Sequence, residues 1–186
     1  FWLSYEEPSI SDIYTMAVET TANYENIYQY DGNGWSDAVS IPGNDFTGAN
    51  VFTSSSSFEE TLNAVSFYTI SDNQKYTIKI YKNLTGTTPD TGTLASACTI
   101  SGTADYSGYH TIKLPTSCTL SPGSKFAVAI TYKYDASTKN QAYIPIEGRS
   151  ELNSGVLYSY ASEPGQSYLY NDNSWICLLY TSPSPR

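Results

Sequence analysis

Two short turns carry the residues best suited to chemistry. Tyr30-Asp-Gly-Asn-Gly-Trp35 and Tyr170-Asn-Asp-Asn-Ser-Trp175 each set two aromatic side chains around an oxygen-rich turn. Sugar recognition needs rings that stack on a pyranose face, beside Asn and Asp groups that bond its hydroxyls. Tyr30, Trp35, Tyr170, Asp172 and Trp175 are therefore the glycan candidates. The plainer reading is that these rings close the ends of a β-sandwich. The first turn also offers side-chain oxygens from Asp31, Asn33 and Asp37, with glycines between them, a pattern that suits a hard cation such as calcium. It lacks the downstream bidentate Glu of an EF-hand. Asn44-Asp45 and Asn171-Asp172-Asn173 are further oxygen-rich turns, each of which also reads as an ordinary solvated turn.

Catalysis has little to work with. The single histidine, His110, sits in a strand pattern in phase with Ile112 and Leu114, which points to a half-buried structural role. There is no nucleophile elbow, HExxH, phosphate loop or CxxC. The carboxylate pairs Glu6/Glu7 and Glu59/Glu60 are adjacent residues, which a strand points to opposite faces, so neither pair suits acid–base work. The segment reads as non-catalytic.

Composition sets the frame that must position these turns. Eighteen Tyr, twelve Gly and nine Pro favour strands and turns over helices. Nine basic against eighteen acidic residues give a formal charge of -9, a surface that repels phosphate backbones, so nucleic acid is not expected as a partner. No stretch approaches the roughly 18–20 apolar residues of a membrane-spanning helix. Cys98 and Cys118 flank adjacent strand patterns and read either as a disulfide or as two buried thiols.

Period-two alternation runs through most of the chain. Lys75–Lys82 places Tyr76, Ile78 and Ile80 on one face; Leu62–Ile70, Tyr109–Leu114 and Lys125–Tyr132 alternate in the same way. Further strands are expected at Ile13–Glu19, Glu25–Asp31, Ala49–Ser54, Thr93–Ser101, Ala142–Ile146, Gly155–Tyr160 and Ser167–Tyr170. Pro145 demotes its strand to an edge or a bulge. One short helix is expected around Ser55–Leu62, where Ser57-Phe-Glu-Glu60 resembles a capping box. About ten short strands at this spacing predict an all-β fold, an antiparallel two-sheet sandwich of jelly-roll type.

The chain opens in mid-strand with Phe1-Trp-Leu-Ser-Tyr-Glu-Glu7, which resembles the last strand of a papain-like cysteine peptidase domain. Tyr24-Glu-Asn-Ile-Tyr-Gln-Tyr-Asp31, Ala49-Asn-Val-Phe-Thr53, Ala64-Val-Ser-Phe-Tyr-Thr69, Tyr76-Thr-Ile-Lys-Ile-Tyr81, Gly108-Tyr-His-Thr-Ile-Lys-Leu114 and Ile144-Pro-Ile-Glu147 follow in order. Together they resemble the lectin-like domain fused behind such peptidases in secreted and surface proteins of Firmicutes and some archaea. The run Cys177-Leu-Leu-Tyr-Thr-Ser-Pro-Ser-Pro-Arg186 reads as translated sequencing-adapter DNA. The expected organisation is then a peptidase tail at 1–10, a lectin-like domain at 11–176 and an artefact at 177–186. The resemblance implies a jelly-roll sandwich, an extracellular or cell-surface address and a structural calcium ion. It also implies an upstream peptidase domain as partner in the same chain, whose Cys, His and Asn precede Phe1, and anchoring to cell-wall or other surface glycan. The alternatives are an independent carbohydrate-binding module and a spacer with no ligand.

Overall fold

The computed structural model describes residues 20, 23–30, 36–147, 150–151, 157–158 and 163–178. Strands dominate. In chain order they are β1 (Asp37–Ser40), β2 (Phe46–Thr53), β3 (Glu60–Thr69), β4 (Gln74–Lys82), β5 (Thr93–Leu94), β6 (Ile100–Ala104), β7 (Gly108–Leu120), β8 (Lys125–Tyr132), β9 (Tyr143–Ile146), β10 (Ser150–Glu151), β11 (Leu157–Tyr158), β12 (Ser167–Asn171) and β13 (Ser174–Cys177). Two 3-10 turns, Pro89–Thr91 and Ser96–Cys98, interrupt the run between β4 and β6.

The main layer is an antiparallel sheet of seven strands in the order β13-β12-β2-β8-β4-β5, with β6 also on β4. Its inner face follows from alternation. Tyr76, Ile78 and Ile80 on β4, Phe126 on β8 and Phe46 and Phe52 on β2 are all buried, while the odd-numbered residues between them point the other way. Two antiparallel pairs, β3–β7 and β1–β9, form the opposing layer. Val65 and Phe67 of β3 and Ile144 and Ile146 of β9 share one apolar cluster with Tyr76, Ile78 and Tyr132 of the main sheet. Burying each such side chain stabilises by roughly 1.5–3 kcal/mol. The Tyr132 hydroxyl donates to the Tyr68 carbonyl at 2.9 Å and pins the layers together. Gly48 lets β9 lie close, since a Cβ there would stand 3.2 Å from Ile144 Cγ2. The result is an antiparallel all-β sandwich, as the alternation predicts.

Local differences from the sequence reading have physical causes. Residues 55–62 form no helix. Glu60 opens β3, and its carboxylate reaches back to the Ser55 amide at 2.8 Å, satisfying a donor by side chain without any helical turn. Residues 25–30 join no strand ladder, and their tyrosines are held by side-chain contacts instead. Thr93–Ser101 is broken by the turn at Ser96–Cys98, with short strands on either side. Of the expected strand Gly155–Tyr160, Leu157 and Tyr158 are described and form β11; its other residues, and Ile13–Glu19, lie outside the described residues. Pro145 sits in β9, whose partner among the described strands is β1. On β7, Pro115 falls where the register with β3 shifts between Leu62 and Ala64, a place where no ladder N–H is needed. At the far edge Cys177 pairs with Tyr168, and the Leu178 amide donates to the Ser167 carbonyl at 2.8 Å.

Candidate functional site

The second aromatic turn is a tight hairpin. Asn171 pairs with Ser174, so Asp172 and Asn173 are its two loop residues, with φ of 48° and 61°. Two successive left-handed residues define a type I′ turn, which matches strand twist and favours Asn and Asp. That turn sets Tyr170 directly opposite Trp175, and their rings meet at 5.0 Å and 61°. Both point to the outer face of the main sheet, where Trp175 packs with Val51, Ala127 and Tyr168. The Trp175 indole N–H is buried with no acceptor. A donor left that way costs roughly 1–3 kcal/mol. Tyr170 keeps 37% of its surface exposed. The neighbouring Tyr168 hydroxyl donates to the Thr87 carbonyl at 2.5 Å and holds the 83–91 loop against the sheet.

Register extends this hairpin into a row. Trp175 faces Tyr170, Tyr170 faces Thr47, Thr47 faces Thr131, Thr131 faces Thr77 and Thr77 faces Ser101. Six strands thus contribute one outward side chain each, two aromatic and four hydroxylic. Thr47 and Thr131 share a hydrogen bond of 2.8 Å, as do Thr77 and Ser101. Two residues along the same strands on one side come Asp45, Lys133 and Lys75, with ion pairs Lys133–Asp45 at 2.8 Å and Lys75–Asp135 at 2.7 Å. Salt bridging to Lys75, together with bonds from Ser137, holds the Asp135 carboxyl well below the usual carboxylate range.

Of the other predicted residues, Tyr30, Asp37, Asn44 and Asp45 are described. Tyr30 belongs to the inner side: its ring stacks on Phe52 at 4.8 Å and its hydroxyl donates to the Val51 carbonyl at 2.6 Å. It is therefore not brought to Tyr170 and Trp175. Trp35, Asp31 and Asn33 lie outside the described residues. Asp37 accepts from the Ala38 amide at 2.7 Å, and the Asn44 amide donates to the Pro42 carbonyl at 3.1 Å. Both Asp45 oxygens are engaged, by Lys133 and by the Tyr134 amide. Among the described residues no three His, Cys, Asp or Glu side chains gather as a metal site. His110 Nε2 lies 3.0 Å from the Thr69 hydroxyl, which itself donates to the Tyr106 carbonyl, so the imidazole is assigned as the donor in a structural network. Cys98 and Cys118 are free, buried thiols.

Sequence reading missed a second feature. A cleft of about 1350 Å3 opens between the layers, lined among the described residues by Asn26, Tyr28, Asn50, Val128, Ile130 and Leu169. Its floor is the inner face of the main sheet, and one end is closed by the buried Glu60 carboxylate. Glu60 accepts from the Asn26 amide and the Tyr28 hydroxyl at 2.5 Å each. Burial raises the Glu60 pKa, but the bonds from Tyr28, Ser55 and Asn26 outweigh it and leave the carboxyl below its ordinary value. Burial, and then the bond to Glu60, pushes the Tyr28 phenol up to about 12. At that end Asn26, Tyr28 and the Ser55 amide all donate to the one carboxylate.

A family model described as lectin like domain matches residues 27–182. Two solved structures align at 26% identity. One is a clostridial cysteine protease, Cwp84, after propeptide cleavage; the match has a TM-score of 0.64 and covers 81% of this chain and 34% of that one. The other shows the cysteine protease and lectin-like domains of Cwp84, a surface layer associated protein of Clostridium difficile, with a TM-score of 0.58 and coverage of 72% and 28%. The chain thus spans about a third of the length of these proteins. No curated protein matches it.

Proposed function

Because this chain belongs to the lectin-like domain family, a non-catalytic module, we propose that it serves as the accessory domain of a cell-surface papain-like cysteine protease. In this reading it positions the peptidase and binds cell-wall or other surface glycan. The observation that carries the protease half is the 26% identity to structures in which a lectin-like domain and a cysteine protease domain share one polypeptide. The surface address has the same source. Among the described residues no helix is long and apolar enough to cross a membrane.

The glycan half rests on the Tyr170–Trp175 hairpin. It combines the partly exposed Tyr170 with Asp172 at a turn, the residue types that stacking and hydroxyl recognition require. Trp35 belongs to the same reading from its sequence context. A structural calcium ion belongs to it on the Asp31–Asp37 turn, since Asp45 is committed to Lys133.

Sequencing the source DNA upstream of Phe1 tests the protease half. A frame carrying a papain-type Cys, His and Asn-Ser-Trp supports it. A start codon and signal peptide directly before Phe1 sinks it and leaves a free-standing carbohydrate-binding module as the reading.

A further inference from the structure

The outer-face row is longer than a single sugar needs. Six strands at a spacing of about 4.8 Å carry it across about 24 Å of sheet. One end, Tyr170 with Trp175, is aromatic; the rest, Thr47, Thr131, Thr77 and Ser101, is hydroxylic. Each Thr or Ser hydroxyl brings one donor and two lone pairs. Since Thr47 bonds Thr131 and Thr77 bonds Ser101, each pair keeps one O–H and three lone pairs for something above the sheet. The next row along the strands is covered: Ala49 and Ala129 are 6% and 4% exposed, and the Tyr168–Thr87 bond holds the 83–91 loop on that side of the row. The ion-paired Lys133–Asp45 and Lys75–Asp135 stand on the opposite side of the row.

We propose that this row is an extended binding platform for a linear β-1,4-linked pyranose chain lying across the strands, with one ring stacked at Tyr170 and later rings bonded by the hydroxyls out to Ser101. The chemistry favours that ligand over a compact glycan. A β-1,4 chain is a flat ribbon that repeats its hydroxyls along one line, and the row repeats hydroxyls along one line. A branched or terminal sugar engages the aromatic end alone and leaves the remaining hydroxyls unused. The proposal rests on the glycan reading of the hairpin and extends it to a polymer and an orientation.

The test is calorimetric titration of the full chain with cellohexaose and chitohexaose, each against its disaccharide. The variants are Tyr170→Ala, Thr131→Val and Thr77→Val; valine keeps the shape and strand preference of threonine, and circular dichroism checks each fold. The platform predicts that one hexasaccharide binds at least about ten-fold tighter than its disaccharide. It also predicts that Thr131→Val and Thr77→Val each weaken hexasaccharide binding by about five-fold, as expected for one lost hydrogen bond, and leave the disaccharide unchanged. Equal binding of both lengths, lost in Tyr170→Ala but unaffected by Thr77→Val, overturns the platform and keeps the hairpin as a terminal-sugar site. No binding of any probe, or binding that survives Tyr170→Ala, overturns the platform together with the hairpin site on which it rests.

Discussion

The Tyr28 hydroxyl donates to the Glu60 carboxylate across 2.5 Å, joining a segment that has no strand of its own to the first residue of β3. Glu60 also accepts from Asn26 and from the Ser55 amide. This buried acid thus accepts from three donors on two separate segments. Glu60→Gln is expected to cost about 1.5–3 kcal/mol, the range for a hydrogen bond to a charged group. Its pH dependence carries the sign. Glu60's folded pKa lies below the ordinary value of 4.5, so its contribution is complete above that value and disappears as pH falls through the folded one. Urea midpoints measured from pH 7 to pH 3 should fall less steeply in Glu60→Gln than in the wild type. Parallel curves contradict the assignment.

The Tyr28 phenol gives the opposite limb. Its pKa rises from 10.0 to about 12 on folding, so its contribution is intact below pH 10 and lost between there and pH 12. Tyr28→Phe should flatten alkaline unfolding in that window. An unchanged alkaline limb shows that other groups control it.

Gly92 is required by its neighbour's backbone. A Cβ at this position would lie 2.4 Å from the Lys82 carbonyl oxygen, and backbone cannot swing aside as a flexible side chain can. Gly92→Ala should destabilise by about 1–3 kcal/mol through overpacking, lowering the melting temperature by several degrees. A melting temperature equal to the wild type contradicts the close approach of the Gly92 turn to β4.

Cys98 and Cys118 are 4% and 1% exposed and their thiols touch in the core. Burial, and then the contact with Cys98, pushes the Cys118 thiol up to about 12, so little nucleophilic thiolate exists at neutral pH. An aromatic disulfide reagent at pH 8 should leave both unreacted in the native protein and titrate both in denaturant. If the denatured, unreduced protein yields two thiols fewer than its cysteine count, the pair is oxidised and the free-thiol assignment fails.

Calcium is tested by melting with and without a chelator. A site filled at 100 times its dissociation constant adds about 2.7 kcal/mol, a shift that EGTA should remove. An unchanged melting temperature takes calcium out of the account.

Much of the sandwich was legible from period two. Tyr76, Ile78 and Ile80 alternate with Lys75, Thr77 and Lys79, and β4 and β8 fall within a residue of where alternation puts them. Elements governed by side-chain capture were not legible. Tyr28 and Tyr30 alternate like a strand, yet their rings are claimed by Phe52 and Phe126 and their hydroxyls by Glu60 and Val51. Ser57 and Glu60 have capping-box spacing, yet Glu60 is drawn into β3 by pairing with Leu120. The hairpin turn was visible in Asn171–Asn173, because a type I′ turn has a local code. The row beyond it was invisible. Residues 47, 77, 101, 131, 170 and 175 meet only through strand register, which no local pattern records.

The outer-face hairpin is the proposed glycan site. The most direct measurement is a glycan array probed with the wild-type chain and with Tyr170→Ala, whose ring is exposed enough to be removed without unfolding the sheet. A glycan site at the hairpin predicts a defined set of bound glycans for the wild type and loss of that signal in the variant at unchanged circular dichroism. A silent wild type, or a variant that binds the same glycans equally well, contradicts it.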